Sequence, residues 1–293
     1  MRGSDVARLL ALALIWSASF VFIRVLAPVL GPVWVATSRM LLAGGALTLA
    51  FIAFRTHLDV RRHWRAYLFI GLLNSSLPFL LFAYAALTLP ASYLVILNAA
   101  LPMFAAVASA IWLDDALDAR KVVGLATGAA GVALVSRAGP VAPDASLALG
   151  IAASLAAVAC YALAGVWLKR RGQGLAPIAV AGWSQLLGGV AILPLALAAP
   201  VHGEITSTIL VNILLLALVC SAAAYVLYFR LIADIGPTRA MTVTFLMPAF
   251  GMLWGRLFLD ETITLPMLAG AVLIVAGTAG VVRPRPALRG APP

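Results

Sequence analysis

Charged side chains are scarce, making up 10% of a 293-residue chain that is 64% hydrophobic, with a mean hydropathy of +1.08. Soluble domains average roughly 25% charged residues. So few charges cannot cover the apolar surface that a soluble fold of this length would carry, so the main solvent must be lipid. In lipid every backbone polar group has to be satisfied internally, which leaves helices or a closed barrel. Barrel strands alternate apolar and polar residues over ~10 positions, and that alternation is missing. The apolar runs are continuous and about 20 residues long, the length of a spanning helix. The expected fold class is all-α and integral to the membrane.

Other absences narrow the chemistry. The two cysteines, Cys160 and Cys220, lie in apolar runs without CxxC spacing and read as small packing residues. The histidines, His57, His63 and His202, fall in loops, and all ten acids fall in loops or at span ends. Buried ionisable groups are the usual proton relays of membrane pumps. Without a mid-span carboxylate, proton antiport through a buried acid is not expected, and a cationic drug would find no counter-ion. An intramembrane enzyme would need a Ser-Lys or Ser-His pair, paired aspartates or metal-ligand histidines at membrane depth. None is present, so no catalytic residue, metal or cofactor is expected.

What the sequence does hold is ten apolar spans, at 6–28, 33–54, 66–88, 91–113, 119–136, 147–168, 176–198, 208–232, 237–259 and 265–282. Turn residues punctuate several connections: Gly31-Pro32, Leu89-Pro90, Gly139-Pro140 and Gly236-Pro237. The N-terminus has the basic start and small residues of a signal peptide. Its apolar stretch runs on to about Pro28 and has a counterpart later in the chain, so it is read as a retained first helix. Net charge is +10, which in a soluble protein would suggest nucleic acid; here it tracks topology instead. Sixteen of the twenty Lys and Arg lie at the termini or in the loops on their side, and the opposite loops hold only Arg137. By the positive-inside rule both termini are cytoplasmic, in a bacterial-type inner (plasma) membrane.

The chain also repeats itself. At an offset of 146, Pro102 meets Pro248, Phe104 meets Phe250, Leu113-Asp114 meets Leu259-Asp260, Gly124 meets Gly270 and Gly131 meets Gly277. Arg137 meets Arg283, and ten of the forty positions from 98 to 137 are identical. Nearer the start the offset is 145: Trp16 meets Tyr161, Arg24 meets Lys169 and Pro32 meets Pro177. The repeats are 1–140 and 141–293, the second ending in a short basic tail. Five spans each, an odd number, makes their topologies inverted. Inverted repeats with a site near the midplane are a hallmark of secondary transporters.

Three stretches, LIWSASFVFIRVLAP, GPVWVATSRMLLAG and LMPAFGMLWGRLFLDETITLPMLAGAVLIVAGTAGVV, resemble the drug/metabolite transporter superfamily. The resemblance is to its ten-helix EamA-type exporters, and among these to the aromatic amino acid exporters (YddG type). It implies a central cavity lined by spans one, three and four with six, eight and nine. On those spans the candidate lining is Trp16, Ser17, Ser19, Asn74, Pro78, Phe79, Phe82, Asn98, Tyr161, Ser221, Tyr225, Tyr228 and Thr244. Asn74, Pro78 and Phe82 are spaced i, i+4, i+8 and so share a face of a regular helix. Aromatic walls with a few hydroxyl and amide groups suit small organic ligands. The same residue types also hold transmembrane helices together and belt the interface.

Pro102 and Pro248 occupy equivalent places, as hinges or static kinks. Arg24, Arg39 and Arg256 are placed toward the outer ends of spans one, two and nine. There they close a gate with Asp260 or Glu261, attract a substrate carboxylate, or snorkel to headgroups. Arg256 and Asp260 have the i, i+4 spacing of a local pair. Gly124, Gly128, Gly131, Gly270 and Gly277 allow close helix packing, within a half or between protomers. Asp118 and Thr264 suit helix N-caps.

The expected function is alternating-access transport of a small organic solute, most of all amino acids including aromatic ones. Membrane lipid is the other partner, and the protein is a monomer or homodimer without a cofactor. The alternatives are a drug, nucleotide-sugar or phosphorylated-metabolite carrier, and a non-transporting assembly protein. Phosphate carriers need cations deep in the cavity, and every basic residue here is expected at a span end.

Overall fold

The computed structural model describes residues 2–53, 60–138 and 144–282. Arg55, His57, Asp59, the Gly139-Pro140 turn and the basic tail from Arg283 onward lie outside them. Among the described residues every regular element is helical. In chain order these are α1 (Gly3–Ala53), α2 (Val60–Gly71), the π-helical segment π1 (Leu72–Ser76), α3 (Leu77–Ala85), α4 (Ala91–Asn98), α5 (Leu101–Trp112), α6 (Ala119–Ala138) and α7 (Ala145–Arg171). Then follow α8 (Pro177–Ala198), α9 (Ser207–Leu214), π2 (Leu215–Ala223), α10 (Ala224–Ile235), α11 (Pro237–Ala240), α12 (Val243–Leu259) and α13 (Leu265–Val282).

Among the described residues, and joined across the π segments and the break between α4 and α5, eight helices are long and apolar enough to cross a membrane, and α12 is a shorter apolar helix. The longest, α1, is two helical arms meeting at Gly31, whose φ of 76° breaks the ladder. That left-handed value is open to glycine and costly for a side chain. Pro32 follows, suited to the first turn of the second arm. Large apolar side chains point outward on many helices; Leu265 is 78% exposed and Leu197 69%. Such a surface belongs against lipid.

Several elements depart from regular helix without any signal in their residue types. The third apolar run carries π1, and the eighth carries π2. Ser76 Oγ donates to Gly71 O and Ser221 Oγ to Leu216 O, both five residues back. These two bonds are themselves related by the 145-residue offset. The run from Ala91 to Trp112 is broken at Ala99–Ala100, so α5 begins just before Pro102. In the second half the break falls earlier, at Met241–Thr242, and Pro248 lies inside a continuous α12. The two prolines thus sit in different local settings.

The glycines form one seam between α6 and α13, which belong to different halves of the chain. A Cβ at Gly131 would stand 2.7 Å from the carbonyl oxygen of Gly270, and one at Gly124 2.6 Å from that of Gly277. The expectation that the seam lies within a half or between protomers is corrected: it joins the two halves of one chain. At the start of α6, Asp118 Oδ1 accepts from the Lys121 N–H at 2.8 Å. At the start of α13 the backbone carbonyl of Thr264 opens the ladder. Its buried hydroxyl has no partner among the described residues, so Thr264 does not cap through its side chain.

Candidate functional site

A cavity of about 230 Å³ opens where α1, α3, α4, α7, α10 and α12 converge. Its wall includes Trp16, Ser19, Asn74, Phe79, Phe82, Asn98, Tyr161, Tyr225, Tyr228 and Thr244. The rings contact one another around it. Trp16 lies edge-on to Tyr225 at 6.4 Å and tilted to Tyr228 at 5.1 Å, and Phe82 stacks with Tyr161 at 6.3 Å. The wall pairs up under the sequence repeat: Trp16 with Tyr161, Phe79 with Tyr225, Phe82 with Tyr228, Asn98 with Thr244, and Leu101 with Met247. Leu101 and Met247 were missed by sequence reasoning. Each lies three residues beyond a polar member of the wall, Asn98 or Thr244, which was the available signal.

Three residues stand elsewhere than expected. Pro78 is buried but outside the cavity wall. The cause is π1, which holds an extra residue between Asn74 and the start of α3. The face toward the cavity therefore runs Asn74, Phe79, Phe82 and passes Pro78 by. Ser17 is fully buried and turned back onto the Leu14 carbonyl at 3.0 Å. Ser221 lies behind the wall, where its oxygen holds an arginine.

That arginine is Arg39, placed by the sequence near the outer end of its span. It is only 7% exposed and forms part of the cavity wall. Its Nε donates to Ser221 Oγ at 2.7 Å, and its Cζ lies 3.9 Å above the centre of the Phe79 ring. The ring face attracts the cation and the serine fixes the guanidinium plane. The expectation that every basic residue sits at a span end is therefore corrected.

The other candidate gate residues gather at one end. The Glu261 carboxylate accepts from the Ala91 N–H at 2.6 Å, the Ser92 N–H at 3.0 Å and the Ser92 hydroxyl at 2.6 Å. It caps the N-terminus of α4, where free N–H groups and the helix dipole favour an anion. Arg24 lines the same crevice with Pro28, Pro90 and Leu259, and its guanidinium donates to the Ala86 carbonyl. Asp260 is exposed in a left-handed conformation with φ 50°, and its repeat mate Asp114 shares that conformation with φ 55°. Arg256 is also exposed. Among the described residues Arg256 and Asp260 form no ion pair: the αL turn at Asp260 carries its side chain off the helical face that i, i+4 spacing assumes. Among the described residues no group of three or more metal-ligating side chains assembles.

The model of the EamA-like transporter family matches residues 6–137 and again 148–283. The chain belongs to the EamA-like transporter family. Members of this family are membrane transporters rather than enzymes, and the chain is a multi-pass membrane protein of that kind. It is 27% identical over 266 residues to the uncharacterized transporter YvbV of Bacillus subtilis, covering 90% of this chain and 87% of that one. It is 27% identical over 264 residues to protein PecM of Dickeya dadantii, covering 89% and 86%. A probable terminal-alkyne amino-acid exporter of Streptantibioticus cattleyicolor is 25% identical over 264 residues, covering 89% and 88%. A solved crystal structure aligns with a TM-score of 0.66 over 96% of each chain at 17% identity, a likeness of fold alone.

Proposed function

We propose that this EamA-like transporter carries small organic solutes, foremost amino acids including aromatic ones, by alternating access between two inverted five-helix repeats. The arms of α1 on either side of Gly31 count as two crossings, and α12 as another, which makes ten. Both termini are then cytoplasmic and the membrane is the inner (plasma) membrane, in keeping with the basic residues. The repeats are 1–140 and 141–293, and the protein acts as a monomer or homodimer without a cofactor.

The observation that carries this reading is the cavity wall, built from repeat-related pairs drawn from both halves of the chain. Two like units in opposite sense can exchange conformations, and the exchange turns an opening on one side into an opening on the other. Aromatic walls suit an apolar or aromatic body. Pro102 and Pro248 carry no N–H, so neither can donate to the residue four before it. Those residues are Asn98 and Thr244, both in the wall. The family's amino-acid exporter relative is consistent with this solute class.

The cavity volume, at or below the low end of the ~300–1,000 Å³ common for small-molecule sites, weighs against a nucleotide sugar. The decisive measurement is uptake of a labelled amino acid panel into proteoliposomes, with and without a pH gradient. Uptake of aromatic members down their gradient is expected, unchanged by pH. Accumulation driven by acidification alone would sink transport down the solute's own gradient. No uptake of any amino acid would sink the solute class.

A further inference from the structure

Arg39 is the one cavity residue whose charge the repeat does not explain. Its repeat mate at offset 145 is Ser184, and the aromatic and polar pairs around it contain no other ionised group. A buried guanidinium ordinarily has a carboxylate beside it, because an unpaired charge in a low-dielectric site is costly. The described acids are all engaged or placed elsewhere. Asp5 and Asp234 face Arg8, Asp115 pairs with Lys121, Asp118 and Asp144 cap helices, and Glu261 caps α4. Asp114, Asp260 and Glu204 are exposed. Among the described residues none lines the cavity, and the one hydrogen bond that Arg39 makes with them uses Nε. Both Nη groups are thus left to the cavity, in a plane held by Ser221 and Phe79.

We propose that Arg39 is the counter-charge for the solute. A carboxylate on the solute is obligatory, and it is what permits the cavity to close. The proposal rests on the transport reading and adds two properties to it. The first is recognition. Two Nη groups in one plane match the two oxygens of a carboxylate, whereas an amide or alcohol with the same body leaves the guanidinium unpaired. A cationic solute adds repulsion to that loss. The second is coupling. Closing a cavity strips solvent from Arg39, which is costly for a lone cation and much less so for one neutralised by its solute. The loaded carrier therefore changes sides faster than the unloaded one, and exchange outruns net flux.

The test uses the full chain in detergent and in proteoliposomes, with four probes that share one ring: phenylalanine, 3-phenylpropionate, phenylalaninamide and 3-phenylpropanol. Binding is read as the rise in unfolding temperature with probe concentration. The two carboxylates are expected to bind about ten- to hundred-fold more tightly than the amide or the alcohol, the range of a hydrogen bond to a charged group. Arg39→Gln should erase that difference, and Arg39→Lys should keep its direction while weakening it. If the glutamine variant does not fold, the four-probe series on the native chain and the lysine variant decide. In proteoliposomes, unlabelled phenylalanine inside should speed entry of labelled phenylalanine several-fold.

Equal binding of acid, amide and alcohol would overturn the role of Arg39 while leaving the aromatic cavity intact. Equal stabilisation by sodium chloride and phenylpropionate would overturn recognition of a carboxylate, since the site would then read charge alone. An unchanged entry rate with phenylalanine inside would overturn the coupling. If none of the four probes binds, both the cavity reading and this proposal fail.

Discussion

Arg39 Nε donates to Ser221 Oγ at 2.7 Å, a bond between residues 182 positions apart. It ties the second arm of α1 to π2 at the back of the cavity. The same serine hydroxyl donates to Leu216 O at 3.2 Å, so one oxygen serves both the arginine and the π turn.

Ser221→Ala should therefore cost more than an ordinary buried serine. A hydrogen bond to a charged group contributes ~1.5–3 kcal/mol, and here its loss also frees the guanidinium plane. The expected result is a lower unfolding temperature in detergent together with weaker binding of carboxylate solutes. An unchanged unfolding temperature would mean that Ser221 does not hold Arg39.

Glu261→Ala should loosen the start of α4. It removes three hydrogen bonds to Ala91 and Ser92. An N-cap loss costs about 0.5–2 kcal/mol. Amide hydrogen exchange at Ala91 and Ser92 should quicken, and Glu261→Gln should lie between the alanine variant and the native chain. Unaltered exchange at these two amides would contradict the cap.

Gly131→Ala tests the seam between α6 and α13. The new Cβ would meet the Gly270 carbonyl oxygen at 2.7 Å, and backbone cannot move aside cheaply. Overpacking of this kind costs about 1–3 kcal/mol. Gly45→Ala, with open space around its Cβ, is the control and should be harmless. Equal unfolding temperatures for the two variants would deny the close approach.

Trp16→Ala should alter which solutes bind rather than whether the chain folds. The indole touches Tyr225 and Tyr228, and aromatic pairs contribute ~0.5–1.5 kcal/mol each beyond burial. Affinity for a single-ring solute should fall, and tolerance for a two-ring solute should rise. Transport with unchanged selectivity in Trp16→Ala, Phe79→Ala and Tyr225→Ala alike would remove the cavity from the mechanism.

Asp144 gives a pH signature at the start of α7. The Leu147 N–H, and then the Ser146 hydroxyl, hold its carboxyl below the usual value. A depressed folded-state value contributes stability that is present above the unfolded-state value and lost as pH falls through the folded one. The protection of the Leu147 amide, with its exchange corrected for the slower intrinsic rate at low pH, should fall on acidification through that range, and Asp144→Asn should flatten the response.

The helical, lipid-facing character was legible because it rests on composition and run length, which tertiary structure cannot undo. The aromatic wall was legible at Trp16, Phe79 and Tyr225 because the family resemblance named the helices around a cavity and these are aromatic residues on them. Pro78 was misplaced because i, i+4 arithmetic assumes an unbroken α-helix, and nothing in LLNSS announces a π turn. Arg39 was misplaced for a different reason. Its neighbours in sequence are apolar and polar by turns, and the Ser221 that makes its burial tolerable lies in the other half of the chain. The Arg256 and Asp260 spacing looked like a pair because the αL turn at Asp260 is a backbone property invisible in residue types.

The π segments carry a mechanical consequence. Each holds one residue more than an α-helix of the same length needs, so the helices that carry π1 and π2 each store a residue of slack beside the cavity. Slack of this kind can travel: shifting the loose turn by one position rotates the residues it passes by about 100° while the rest of the helix keeps its bonds. Phe79 lies three residues past π1 and Tyr225 two past π2. Both rings are within reach of such a shift, which would swing an aromatic wall panel without unwinding any backbone into lipid.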